Sequence, residues 1–301
     1  MSRRRRRKIK RTIKTTLAII CLIMAFFVYK LNNTSNDNYE IPEGTAEFHF
    51  IDVGQGDATL IMIEGKSILI DTGDRASEDR EKLTSYLEKM NVTELEYFVA
   101  THPDSDHIGS AAYVVENYNV KNVILSPKTH TSQTYEDLIA AIEERPSINV
   151  INPQDMLGES ISVGELELKI LGPIGDVSEL DNNNASVVIM ARWGKTKVLL
   201  TGDAEKESED ELRIAYRDEL DCDILKVGHH GSSSSSQNSF IKYVKPEYAV
   251  ISCGEGNKYN HPHKETIDVF EYYEAQIYRT DRQGSIVAST DGEVITVKTE
   301  K

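Results

Sequence analysis

The segment Thr101-His102-Pro103-Asp104-Ser105-Asp106-His107 constrains this chain more than any other. It follows an apolar run, residues 97–100, that reads as a strand, and it sets four potential metal ligands within six residues. Functional groups of α/β folds collect where strands end. Alternate side chains of an extended loop point the same way, so His102 and Asp104 can share one centre. Asp106 and His107 can then address a second centre beside it. Mixed imidazole and carboxylate donors suit zinc or manganese. A solvated loop with chance polar residues is the plain alternative. Pro103 and Gly109, which fix the turn, and the lack of any Lys or Arg speak against it.

Three more strand-to-loop junctions carry similar residues. Asp203, in Leu199-Leu200-Thr201-Gly202-Asp203-Ala204, could bridge two metals or simply cap the helix that follows. His229 and His230 lie between Gly228 and Gly231, where paired histidines make poor core and good ligands. His261-Pro262-His263 reads as a substrate-binding or proton-donating pair, or as the start of a surface helix. Ser232 joins His261 and His263 as a substrate-binding candidate. Nearer the start, Gly54 and Gly56 permit a tight turn. Asp52 and Asp71 can orient a ligating histidine, and Asp57 can do the same or face the site. Turn chemistry explains these three aspartates almost as well. His49, within a strand, and His130, in an ordinary loop, receive no role.

The pattern predicts strands over 46–53, 58–63, 67–71 and 95–101, with a helix over 78–90. A helix over 108–118, a strand over 120–125, a helix over 135–144 and strands over 148–151 and 166–171 follow. The second half opens with a hairpin of 186–193 and 197–201. It continues with helices over 205–217, 240–244 and 265–273 and strands over 224–227, 248–252, 276–279, 285–289 and 294–298. Strands and helices alternate, yet hairpins occur at both ends. That combination implies an α/β domain of two mixed sheets face to face with helices outside. The serine run 232–236 reads as a flexible loop.

Before residue 46 the chain changes character. Residues 1–30 hold ten basic and no acidic residues, and residues 17–29 are uninterruptedly apolar. We read 1–14 as a basic cytoplasmic segment, 15–31 as a single membrane anchor, 32–45 as a polar linker and 46–301 as the catalytic domain outside the cell membrane. A cleaved signal peptide is the rival reading, but no small-x-small site follows the apolar run. The rest of the chain has 24 basic against 49 acidic residues, a net charge of −25. Such a domain repels polyanions unless metal ions or a local patch compensate. Three cysteines make no disulfide framework; Cys222 and Cys253 read as small buried hydrophobes.

Seven motifs in order resemble the metallo-β-lactamase superfamily, and within it the hydrolase domain of the ComEC/Rec2 competence proteins. They are DVGQGDA (52–58), DTG (71–73), THPDSDHIGS (101–110), DNNNAS (181–186), LLTGDAE (199–205), KVGHHGS (226–232) and NHPH (260–263). The resemblance implies a four-layer αββα sandwich with two divalent metal ions, Zn or Mn, at one edge. It implies His102 and Asp104 on the first ion, Asp106 and His107 on the second, and Asp203 between them. One of His229 and His230 would be a further ligand, and the other would touch substrate. Two positions depart from the superfamily's usual pattern. Asp104 stands where a second histidine is common, and the usual third-motif histidine is replaced within 182–186. The first site is therefore richer in oxygen and has one clear ligand fewer, which argues against an antibiotic-degrading lactamase.

The expected activity is a metal-dependent phosphodiesterase that uses a metal-activated hydroxide. Asp106, His230 and His263 are its catalytic candidates. A nuclease acting on DNA during uptake is the alternative, disfavoured by the acidic charge. A non-catalytic metal-binding module is the alternative from another class. The partners expected are a phosphoester substrate and, through the N-terminal helix, the membrane.

Overall fold

Alternation of apolar and polar residues decides which face of each strand is buried. In β8 (Leu166–Gly172), Leu166, Leu168 and Ile170 enter the main core while Glu167 and Lys169 lie on the other face. β2 (Thr59–Ile63) has no such alternation because both faces are covered. Ile61 and Ile63 enter the main core, and Leu60 and Met62 pack beneath helices.

This computed structural model describes Met24 and residues 39–301. The basic segment 1–14, the anchor 15–31 and most of the linker lie outside the described residues, Met24 excepted. Among the described residues no helix is long and apolar enough to cross a membrane.

The first sheet combines β1 (Ala46–Phe50), β2, β3 (Lys66–Ile70), β4 (Glu94–Ala100), β5 (Asn119–Leu125) and β6 (Asn149–Ile151) with β14 (Ile286–Thr290) and β15 (Ile295–Thr299). Its spatial order is β15-β14-β1-β2-β3-β4-β5-β6. The second sheet holds β7 (Ser160–Val163), β8, β9 (Val188–Trp193), β10 (Thr196–Leu200), β11 (Ile224–Lys226), β12 (Tyr248–Ile251) and β13 (Gln276–Arg279), ordered β13-β12-β11-β10-β9-β8-β7. Each sheet is antiparallel on one side and parallel on the other. The parallel strands are β3 to β6 and β10 to β13. Phe48, Phe50, Leu168 and Trp193 belong to the core between the sheets. Leu83, Leu87, Val114 and Leu138 bring three helices onto the outer face of the first sheet. Leu212, Phe240 and Phe270 do the same for the second. The layers expected from the sequence are therefore present in the domain. Cys222 and Cys253 are both buried and free.

Three local readings need correction. The strand β7 has no counterpart in the sequence reading; its short alternation pairs only at the sheet edge, against β8. The helix expected over 108–118 is two pieces, Ser105–Ile108 and Ala111–Asn117, because Gly109 N–H turns aside to Gly73 O at 2.9 Å. Helical geometry thus begins inside the His/Asp loop. Finally, the serine run is no flexible loop. Ser232, Ser235 and Ser236 are buried. Ser235 Oγ donates to Ala204 O at 2.8 Å, and the Ser236 and Gln237 N–H groups donate to the buried Glu209 carboxylate.

Burial pushes the Glu209 carboxyl up to about 8, against the pull of those two backbone donors. A carboxyl whose proton is held more tightly folded than unfolded stabilises the fold fully below its ordinary range and loses that contribution as pH rises through about 8. The melting temperature of residues 40–301 should therefore fall between pH 5 and 8. In Glu209→Gln this part of the slope should vanish, which calorimetry across that range can check.

Candidate metal centre

The parallel strands aim their carboxyl ends at one edge, where α/β sheets hold functional loops. Asp71 follows β3, the His102–His107 loop follows β4, Asp203 follows β10, and His229 and His230 follow β11. Two close approaches hold the His/Asp loop in place. A Cβ on Gly109 would lie 2.1 Å from Arg75 N, and one on Gly56 would lie 2.5 Å from Asp106 O. His229 and His230 both sit at left-handed φ, +46° and +52°. That conformation costs a non-glycine residue roughly 1–2 kcal/mol and is found where function requires it.

Asp57, His107, Asp203 and His230 are all buried, and one ligand atom from each lies within 4.8 Å of the others. His107 Nδ1 lies 2.7 Å from Asp71 Oδ2, and Asp71 also accepts the Thr101 N–H and hydroxyl. His230 Nδ1 lies 3.0 Å from Ser252 O. His102 Nδ1 contacts Thr101 Oγ1 at 3.1 Å and Ser186 Oγ at 3.4 Å. In each case the Nδ1 side is occupied and Nε2 is left facing the cluster. That is the arrangement in which a partner fixes the tautomer and orientation of a ligating imidazole. His107 Nε2 is 3.2 Å from Asp203 Oδ1, and His230 Nε2 is 3.4 Å from both Asp203 Oδ2 and Asp106 Oδ2. His102 Nε2 lies 3.8 Å from Asp104 Oδ2, whose other oxygen accepts from Asn182 at 2.7 Å.

The remaining sequence candidates divide. His229 is half-buried; its Nδ1 lies 2.7 Å from Glu205 Oε1 and its Nε2 4.0 Å from Asp203 Oδ2. His261 stacks at 24° on Tyr259 and stands edge-on to His229 at 5.5 Å. His263 lies further out. Its ring nitrogens engage Ser233 N–H at 3.0 Å and Tyr259 O at 3.2 Å, so it anchors a helix start. Ser232 Oγ is spent within its own loop, on Ser234 Oγ and N–H. Asp52, expected to orient a histidine, instead accepts Gly54 N–H at 3.2 Å and lies 3.7 Å from Lys301 Nζ; it is a turn residue. Asp57 stands inside the cluster rather than behind a histidine, with Lys226 Nζ 2.5 Å from its Oδ2. Where the third histidine is missing, Ser186 Oγ contacts His102 and accepts Asp203 N–H at 3.1 Å.

Sequence reasoning assigned no role to Thr101, Ser186, Glu205 or Lys226. All four lie inside motifs it singled out, but their partners come from other segments, and spacing along the chain does not encode that.

Burial and then the neighbouring His107 push His102 down to about 3, so it stays neutral. Burial works against a charge on Asp203, yet His107 and His230 hold its carboxyl well below the usual range. Burial likewise opposes the charged forms of His107 and His230. Asp203 with Asp71 outweighs it at His107, and Asp203 with Asp106 at His230, so both sit above the usual histidine range. His102 Nε2 and Asp57 Oδ1 are buried with no hydrogen-bond partner among the described residues. Imidazole nitrogens turned inward by their Nδ1 partners, carboxylate oxygens and unsatisfied buried atoms gathered at one edge fit a divalent cation.

The metallo-beta-lactamase superfamily model matches residues 51–255, and the chain belongs to that superfamily, whose members are in general metal-dependent hydrolases. Its relatives are of the ComEC/Rec2 kind. It is 32% identical over 266 residues to ComE operon protein 3 of Bacillus subtilis, covering 82% of this chain and 33% of that one. It is 29% identical over 277 residues to Recombination protein 2 of Haemophilus influenzae, covering 91% and 31%. The chain thus spans about a third of the length of these curated relatives. Among solved structures it is similar to the metallo-beta-lactamase fold protein YhfI of Bacillus subtilis. The TM-score is 0.53 at 14% identity, over 81% of this chain and 99% of that one, a likeness of fold alone.

A divalent ion competes with protons for His107 and His230, so its binding should release protons and tighten as pH rises. Stripping the protein with EDTA and adding Zn²⁺ or Mn²⁺ should raise the melting temperature. At 100 times Kd the gain is about 2.7 kcal/mol. In His230→Ala the part of the shift due to an ion on His107 and His230 should disappear.

Proposed function

We propose that the domain is a metal-dependent phosphodiesterase held at the outer face of the cell membrane by residues 15–31. The observation that carries the reading is the buried cluster of Asp57, His107, Asp203 and His230 at the strand ends. His102 and Asp104 would hold one ion and Asp106, His107 and His230 the other, with Asp203 between them. His230 is favoured over His229 as the ligand because its Nε2 is the one inside the cluster. When bound, two divalent ions would supply a hydroxide near neutral pH and neutralise charge on a phosphoryl oxygen. The protein's own residues do the rest. Asp71, Ser252 and Thr101 fix the imidazoles. Glu205 fixes His229 so that its Nε2 faces the open side, where it can give a proton to the leaving oxygen. His261 and Tyr259 line the approach to it.

A small or cell-wall phosphodiester suits the net charge of −25 after residue 30 better than a duplex does. The second reading, cleavage of DNA, is favoured by the relatives' names, which speak of competence and recombination.

Asp203→Ala should cut hydrolysis of a generic phosphodiester by roughly 10²–10³-fold or more while the circular dichroism spectrum is kept. Turnover that survives the substitution, or survives EDTA, would sink the proposal. The two substrate readings separate by salt. Affinity for DNA would fall steeply with log[salt], whereas the KM of a small diester would barely move.

A further inference from the structure

Lys226 places a buried ammonium beside the candidate cation site. Its side chain is 3% exposed and Asp57's is 5%, and their charged atoms are 2.5 Å apart. Buried ion pairs are poor sources of stability, because desolvation offsets most of the attraction. A pair kept only for structure would also satisfy both carboxylate oxygens. Here Lys226 takes Oδ2, and the buried Oδ1 has no hydrogen-bond partner among the described residues. The same carboxylate belongs to the cluster with His107, Asp203 and His230.

We propose that Asp57 is a ligand of the ion held by His107, Asp203 and His230, and that Lys226 is the residue that positions it. The proposal rests on the reading of the cluster as a metal centre. Charge supports it. Asp57 and Asp106 alone match the charge of a divalent cation, and Asp203, shared with the other ion, takes the carboxylates beyond it. Lys226 supplies the missing positive charge from the side away from the unpartnered oxygen. An ammonium, unlike a neutral imidazole, offers no lone pair, so Lys226 while charged cannot itself take the ion.

Both partners are held by backbone. Asp57 N–H donates to Asp106 O at 3.0 Å, and Asp57 O accepts Gly73 N–H at 2.7 Å. Lys226 ends β11; its carbonyl accepts from Thr201 Oγ1 at 2.9 Å and its ammonium also donates to Val227 O at 2.8 Å. The pair therefore joins a turn of the first sheet to a strand of the second. It sets the distance between Asp57, from one half of the sandwich, and Asp203 and His230, from the other.

Asp57→Asn is the discriminating variant. Its amide oxygen can keep the bond to Lys226, and its NH₂ then faces the ion. Residues 40–301 would be titrated with Zn²⁺ against a chromophoric chelator, with bound zinc counted by elemental analysis. Asp57→Asn should weaken one of the bound ions 10–100-fold, and Lys226→Met should do likewise. The double variant should bind no more weakly than Asp57→Asn alone, since both changes remove one device. If Lys226→Met does not fold, Lys226→Arg replaces it, with a smaller loss expected. Zinc affinity in Asp57→Asn within about twofold of wild type overturns the proposal. So does tighter binding in Lys226→Met, the result expected of a lysine that merely repels the ion. If the wild-type protein binds no Zn²⁺ or Mn²⁺, the metal centre itself fails and this inference with it. Wild-type binding beside an unaffected Asp57→Asn defeats the inference alone.

Discussion

A carboxylate at Asp203, buried where the two sheets meet, sets the terms for everything around it. Leaving such a charge unpaired in a protein interior is prohibitive. The fold answers with His107 and His230 on either side, and these in turn need partners on their far nitrogens. Asp71 and the Ser252 carbonyl provide them. Each partner comes from the end of a different strand, so the cluster forms only when both sheets are registered correctly. The polar centre thus specifies how the halves of the sandwich meet, while the apolar core between them, from Phe48 to Trp193, provides the driving force.

The backbone absorbs the geometric demand. Consecutive left-handed conformations at His229 and His230 turn the chain sharply after β11, and the flanking Gly228 and Gly231 give that turn room. One ring points into the cluster and the other toward Glu205 and the open side. Two histidines adjacent in sequence thereby face different environments. The serine run that follows is tied to Glu205, Glu209 and Ala204. It braces this turn rather than moving over it.

Much of this was legible beforehand. Apolar runs ending in His and Asp located the edge of the sheets, and the periodicity of segments such as 78–90 placed most helices within a residue or two of Ser77–Lys89 and its like. Spacing within THPDSDH picked out side chains that the fold brings to that edge, His107 among them. What failed had a common cause. Asp52, read as orienting a histidine, ends beside Lys301, while Asp57, five residues on, takes the second of its two readings and faces the cluster beside Lys226. Only the pairing of strands far apart in sequence decides that. The serine run looked mobile because its composition is polar, while its burial depends on the helix Lys206–Tyr216 packing across it. The choice between His229 and His230 rested on a backbone turn that no propensity encodes.

Membership of a superfamily settles less about substrate than about chemistry, since functions are grafted onto folds through their loops. In this chain the approach to the cluster is lined by His229, His261 and Tyr259, with Lys258 Nζ 4.8 Å from the Tyr259 ring centroid. Those residues present flat, polarisable faces and little fixed charge. The surrounding domain is strongly acidic, so a long polyanion would meet repulsion everywhere except at the ions the cluster would hold. A substrate bearing one or two phosphoryl charges would meet the ions' attraction with much less of that repulsion. Affinity would then come from the ions and from stacking rather than from a basic track. Discrimination would be exercised at the rim by His261 and Tyr259, two residues apart on one loop, while the cluster beneath would carry the reaction.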